Sequence, residues 1–289
     1  MFWLTLTRKL EQARALDPVV DAAGKVVGSV LPRGPVKDVL HGTWLGHQLH
    51  PMLIAAPIGM WSSALLLDLT AGEGGRSAAR RLVGAGVLAV VPTAASGLAD
   101  WSELGSAKRP KRVGLVHAAA NSATTALYAA SWLARRRGDH ARGRTLAAMG
   151  AVGLGLGGYL GGHLSYAQGV GVNRNADEAP KPREWTDACA SADLDEGRPQ
   201  RVDVDGQAVL LVRLPHRVHA IGASCGHWGA PLEQGEVLGD GADACVECPW
   251  HGSRFRLVDG AVAQGPATTP QLAYDVRSVG DRLQVRIRP

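Results

Sequence analysis

Cys225-Gly-His227, followed further along by Cys248-Pro-Trp-His251, decides how this chain is read. Each segment carries one thiol and one imidazole within a single turn of chain. Glycines at 226 and 252 suit the tight loops that such spacing needs. Two thiolates and two neutral imidazoles can hold either one tetrahedral zinc ion or a two-iron cluster. A zinc knuckle offers its two cysteines together, whereas here each loop mixes Cys with His. The spacing therefore favours iron. Cys245 lies near Cys248 but reads as a structural residue, and Cys189 and Cys245 are expected as free thiols.

Around these loops, residues 185–289 break into short apolar bursts between Gly, Pro and Asp turns. Examples are Ala208-Val-Leu-Leu-Val-Arg213 and Leu283-Gln-Val-Arg-Ile287, a pattern that reads as a small all-β domain. This region resembles the Rieske [2Fe–2S] family. The likeness includes Gly229-Ala-Pro-Leu232, His251-Gly-Ser-Arg-Phe255, Asp259-Gly260, Gly265-Pro-Ala267, Pro270 and Tyr274. It implies that Cys225, His227, Cys248 and His251 ligate the cluster, that the ligand loops form the tip of the domain, and that Gly265-Pro-Ala267 covers the cluster. High-potential members add two cysteines at positions matching Ala230 and Trp250 here, so no cross-loop disulfide is expected. Ser253, which in the family bonds a bridging sulfide, is kept. The family's usual tyrosine is replaced by Phe255.

The N-terminal half is different. Hydrophobic residues make up 46% of the chain and crowd between His50 and Tyr166. Four stretches lack charge: 39–67, 82–99, 113–134 and 145–173. Each is long enough to cross about 30 Å of hydrocarbon, and none shows the polar face that a soluble bundle needs. We expect a four-helix transmembrane domain over 39–173, with helix cores at 51–70, 81–100, 114–134 and 145–166. Gly153, Gly157 and Gly161 recur every fourth residue, which lets helices approach closely in lipid. Residues 1–38 form an N-terminal amphipathic segment, since Leu10, Ala13, Leu16 and Val20 recur at helical spacing. An interfacial and a solvated helix both fit that pattern. Residues 174–184 are polar, contain Pro180 and Pro182, and read as a linker. The fold class is thus a four-helix transmembrane bundle followed by an all-β Rieske domain.

Histidines mark the membrane half. His41, His47 and His50 precede the first span, while His117 and His163 lie in the third and fourth. Antiparallel spans would bring His50, Asp100, His117 and His163 to one membrane face. Ionisable groups there are costly and usually functional. They read as haem b ligands, as a quinone or proton site, or as helix caps. His47-Gln-Leu-His50-Pro-Met52, Ala95-Ser-Gly-Leu-Ala-Asp100-Trp101 and Gly161-Gly-His-Leu-Ser-Tyr166 resemble an uncharacterised family of four-helix bacterial membrane proteins over about residues 15–175. That resemblance implies topology and no activity.

The net charge is +5, but the basic residues sit in short loops such as Arg135–Arg137 and are not interleaved with aromatics. This suits lipid headgroups and argues against nucleic acid as a partner. The expected partners are the lipid bilayer and a redox partner protein or quinone. Met1 to Lys9 does not read as a signal peptide. Basic residues are nearly balanced across the membrane, and the free thiols favour a cytoplasmic Rieske domain. The function expected is single-electron transfer between a membrane donor or acceptor and a redox partner. The alternatives are a Rieske-type oxygenase component, which would need a mononuclear iron held by residues such as His50, Asp100, His117 and His163, or a tethered redox sensor without turnover.

Overall fold

The computed structural model describes residues 2–288. The chain divides into two compact units. One holds Met1–Pro32 and Leu49–Val170, the other Arg33–Gln48 and Gly171–Pro289.

The first unit is helical. It comprises α1 (Phe2–Gln12), α2 (Asp17–Val30), α4 (His50–Leu53), α5 (Ala55–Thr70), α6 (Arg76–Ser102), α7 (Lys108–Arg136) and α8 (His140–Gly162), with a π turn over His163–Ala167. Three segments, His50–Thr70, Arg76–Ser102 and His140–Ala167, are long and apolar enough to cross a membrane. The fourth long helix, α7, lowers its own hydropathy with His117, Asn121, Thr124 and Ser131. It buries Thr124 and Ser131 against its neighbours.

Glycines on α8 set how near α7 comes. A Cβ at Gly153 would stand 2.3 Å from Thr124 Oγ1, and one at Gly157 would stand 2.4 Å from Asn121 Oδ1. A larger residue at either position would have to displace the Thr124 or Asn121 side chain, in keeping with the close approach that the four-residue spacing predicts. Trp61 stacks on Tyr128 with ring centroids 4.0 Å apart. These rings lie in a core with Ala64, Ala79, Val83 and Ala147. Near the end of α7, the buried Arg135 guanidinium donates two hydrogen bonds to the Asp68 carboxylate, at 2.8 and 2.5 Å. Pairing is the condition on which such charges are tolerated away from water.

The amphipathic N-terminal segment is packed on α7 and α8. Trp3 lies against Tyr159 at 4.6 Å. Glu11 accepts hydrogen bonds from Arg109 at 2.6 Å, His163 at 2.8 Å and Gln168 at 2.9 Å. Arg112 grips Asp17 through two bonds of 2.7 Å. Burial pushes the Glu11 carboxyl up, but the bonds from Arg109, Gln168 and His163 outweigh it and hold the pKa at about 2.

The second unit is all-β apart from a short N-terminal piece. One antiparallel sheet has the order β1 (Thr186–Ala190), β10 (Arg282–Ile287), β9 (Ala273–Val279), β4 (Arg217–Gly222), β3 (Gln207–Leu214), β2 (Gln200–Val204). A smaller one runs β5 (Glu236–Leu238), β6 (Cys245–Glu247), β7 (Arg254–Arg256), β8 (Val262–Gln264). Asp205 and Gly206 both take positive φ, 55° and 73°, which gives the two-residue turn that joins β2 to β3. Strand β3 is buried on both faces, which is why it reads as an apolar run and does not alternate. Leu210 and Val212 face the ligand-loop core, while Val209 and Leu211 face the core under β9 and β10. Each such side chain stabilises by about 2 kcal/mol on burial.

Two expected boundaries shift. Residues 33–48 were expected to be split between the amphipathic segment and the membrane domain. They pack instead with the β unit as α3 (Pro35–His41) and a 3-10 turn (Thr43–Leu45). Residues 174–184, read as a linker, lie on the β unit as well. The Arg174 N–H donates to Gly226 O at 2.8 Å, and Asn175 Nδ2 donates to Ser224 O at 2.6 Å. Both segments carry polar groups that satisfy backbone atoms of the β unit, a long-range gain that local composition does not encode.

Candidate metal centre and the membrane-domain histidines

The two ligand loops are built to one pattern. Cys225 N–H donates to Ala230 O at 2.8 Å, and Gly229 N–H returns to Cys225 O at 2.7 Å. Cys248 N–H donates to Ser253 O at 2.8 Å, and Gly252 N–H returns to Cys248 O at 3.0 Å. In both loops the fifth residue is a glycine with positive φ, +73° at Gly229 and +70° at Gly252. The conformational need thus falls on Gly229, and not on Gly226 as expected. Gly226 serves a close approach, since a Cβ there would meet Asn173 Oδ1 at 2.8 Å.

This repetition sorts the four side chains by type. The Cys225 and Cys248 thiols hydrogen-bond to each other. The His227 and His251 rings meet edge to face with centroids 4.9 Å apart. Sulfur thus meets sulfur and imidazole meets imidazole, the partition that a cluster with one two-thiolate iron and one two-imidazole iron needs. Nδ1 of both histidines is buried, and that of His227 has no hydrogen-bond partner among the described residues. A buried nitrogen left unpaired is costly unless something absent binds it, so the residues fit a metal cluster.

Electrostatics agree. The Cys248 thiol is held down at about 6, first by the hydrogen bond from Cys225 and then, against burial, by the backbone N–H groups of His251 and Trp250. Cys225 is pushed up by that same bond and by burial, with the N–H groups of His227 and Trp228 opposing the rise. Burial, with help from His251, His41 and Arg174, keeps His227 at about 3 and therefore neutral, the form that binds metal.

Around the loops, Ser253 is fully buried and its Oγ accepts the Ala267 N–H at 2.9 Å. The hydroxyl hydrogen is thereby left to point elsewhere. Phe255 is buried and pairs with Val246 across β6 and β7. Ala230 and Trp250 supply no bridge, and all four cysteines are free thiols. Cys245 donates to Asp243 O at 3.3 Å, in keeping with a structural residue. Burial is the largest influence on Cys189 and Cys245 and raises the pKa of both.

In the helical unit, His50 Nδ1 lies 3.0 Å from Thr93 O, and His117 Nδ1 lies 3.0 Å from Gly157 O. Carbonyls only accept, so Nδ1 carries a proton in each ring. Glycines make room for both rings. A Cβ at Gly97 would stand 2.9 Å from His50 Cε1, and one at Gly161 would stand 3.2 Å from His117 Cε1. Asn121 Nδ2 is 3.2 Å from His117 Nε2. His163 turns its Nε2 to Glu11. His41 belongs to the other unit, where it is buried beside Gly265. Sequence reasoning missed Asp38, whose Oδ1 accepts the Gly265 N–H at 2.9 Å from 227 residues away. No local signal announces such a contact.

Paired loops, paired thiols and paired imidazoles on a small antiparallel scaffold define an iron–sulfur protein of the two-iron, mixed-ligand class. Residues 184–279 match the Rieske [2Fe–2S] domain model, and residues 46–174 match a predicted membrane protein model, DUF2231. Ferredoxin CarAc of Metapseudomonas resinovorans is 34% identical over 93 residues, which are 32% of this chain and 83% of that protein. Apoptosis-inducing factor 3 of Homo sapiens is 34% identical over 109 residues, but the chain spans only 17% of its length. Among solved structures, the ferredoxin of carbazole 1,9a-dioxygenase from Nocardioides aromaticivorans IC177 shows 33% identity, with a TM-score of 0.34. That match covers 36% of this chain and 98% of the ferredoxin. The chain belongs to the Rieske [2Fe–2S] family.

Proposed function

We propose that this protein is a membrane-anchored Rieske carrier that passes single electrons between a redox partner protein and a quinone or haem b held in its helical unit. The observation that carries the reading is the sorting of Cys225 with Cys248 and of His227 with His251, which suits one [2Fe–2S] cluster. When bound, that cluster supplies a one-electron couple, and it lies in the range of roughly −150 to +300 mV. The chain's own residues hold the thiolates with backbone N–H donors and keep His227 neutral. Relatives named as ferredoxins of dioxygenase and monooxygenase systems support electron transfer as the role.

The membrane partner is assigned to His50 and His117. Each has its Nδ1 fixed on a backbone carbonyl, which aims Nε2 away from that carbonyl, and Asn121 Nδ2 lies 3.2 Å from Nε2 of His117, an arrangement that suits a haem iron or a quinol oxygen taking the place of Asn121. His163 enters this reading only through its bond to Glu11. The four long helices act as four crossings, and the cluster unit lies on the cytoplasmic side. The test is spectroscopy of purified protein in detergent. A Rieske-type spectrum that responds to added quinol, or a haem Soret band, upholds the reading. A cluster with neither leaves the helical unit as an anchor, and zinc in place of iron ends the proposal.

A further inference from the structure

The segment Arg33–Gln48 precedes the first apolar helix in sequence but packs with the β unit. Its contacts fall on the cluster-binding loops. A Cβ at Gly252, beside His251, would stand 2.3 Å from Arg33 Nη1. A Cβ at Gly265 would meet Asp38 Oδ1 at 3.1 Å, Thr43 Cγ2 at 3.2 Å and His41 Cδ2 at 3.3 Å. Thr269 Oγ1 donates to Gly46 O at 3.3 Å. His41 and Lys37 are buried, 1% and 5% exposed, although they lie on a seven-residue helix.

Gly265 opens the stretch that reaches the ligands. Two residues on, the Ala267 N–H bonds Ser253 Oγ, and the Ser253 carbonyl accepts the N–H of Cys248. Ala267 also shares one core with Cys225 and Cys248. The Asp38 carboxylate, bonded to the Gly265 N–H at 2.9 Å, therefore holds the near end of a short rigid path to the two sulfur ligands.

We propose that residues 33–48 form a strap across the cluster loops, in which Asp38 is a positioning residue that fixes Gly265–Ala267 and whose negative charge lowers the cluster's reduction potential. The proposal rests on the reading that Cys225, His227, Cys248 and His251 hold a [2Fe–2S] cluster. A fixed anion near a redox centre disfavours the more negative, reduced state, and the half-buried position of Asp38 reduces screening by water. Arg33 and Lys37 lie on the same strap and offset part of that charge in the wild type. Removing Asp38 alone therefore leaves a more positive surround.

The test uses full-length protein in detergent and two variants. Asp38→Asn keeps an oxygen acceptor for Gly265 and removes the charge. Asp38→Ala removes both. In a redox titration followed by electron paramagnetic resonance, Asp38→Asn should keep the wild-type signal and shift the potential upward. By hydrogen exchange, the Gly265 amide should exchange at least tenfold faster in Asp38→Ala and close to wild type in Asp38→Asn. The exchange arm is read on protein with or without cluster, so it holds even where Asp38→Ala fails to assemble iron. An unshifted potential in Asp38→Asn, or an unchanged Gly265 amide in Asp38→Ala, overturns the proposal. Wild-type protein that takes up no iron and sulfide refutes the cluster reading instead, and the two failures are thereby told apart.

Discussion

The thiols of Cys225 and Cys248 meet in hydrogen-bond contact, although each is carried by a separate loop with its own closing glycine. The meeting follows from two copies of one turn facing each other. It predicts the metal content. Purified protein should carry about two irons and two acid-labile sulfides per chain outside any haem. Cys248→Ala should abolish the cluster, and His251→Cys should lower its potential, because thiolate donates more negative charge than imidazole. Iron and sulfide analysis with a visible spectrum checks both.

Ser253 predicts a shift in potential. Its oxygen is occupied by the Ala267 N–H, so its hydrogen is available to a sulfide. Removing a donor raises electron density on the sulfur and makes reduction harder. Ser253→Ala should lower the potential by about 40–80 mV, the equivalent of about 1–2 kcal/mol for one electron. With Phe255 in place of a hydroxyl donor, the native potential should already lie in the lower half of the family range, roughly −150 to +100 mV. A native value near +300 mV in a dye-mediated titration would contradict this account.

His117 separates carrier from anchor. His117→Ala should abolish either a Soret band or quinol-driven reduction while the cluster's own spectrum persists. Equal rates of quinol reduction in variant and wild type would show that His117 only joins α7 to the Gly157 carbonyl.

Glu11 predicts a pH dependence. Its folded pKa is about 2, below the ordinary value of 4.5. A depressed carboxyl pKa contributes stability above the ordinary value, and that contribution is lost as pH falls through the folded one. Glu11→Gln should therefore destabilise the helical unit by about 2 kcal/mol at pH 7. The gap from wild type should close between about pH 4.5 and pH 2. Thermal unfolding of both proteins across that interval in detergent measures it.

The two Cys-His loops were legible because chemistry fixes Cys and His at short spacing, and short spacing survives folding. Gly153 and Gly157 were legible for a related reason, since one helical period places both on the face that meets α7. Asp38 and His41 were not. They reach Gly265 only after the chain has made the whole helical unit and most of the β unit, and nothing within ten residues of either hints at that return. The place of Asn175 was hidden likewise, because a polar, proline-bearing stretch looks the same whether it floats or lies on Ser224. Helix α7 fell between the two cases. Its length was plain, but its buried Thr124 and Ser131 dilute the apolar signal that marks the other spans.

The strap also constrains parity. Residues 33–48 and 171–289 form one packed body, so if the helical unit crosses a bilayer as proposed, the chain leaves and returns on the same side of it. A path that starts and finishes on one side crosses an even number of times. Three apolar segments lie between Gln48 and Gly171, and an odd count cannot close that path. Helix α7 is the remaining element long enough to restore evenness, at 29 residues and about 1.5 Å each. On the proposed membrane reading, placing the strap's sixteen residues on one face commits the rest of its unit to that face about 120 residues before that part is made.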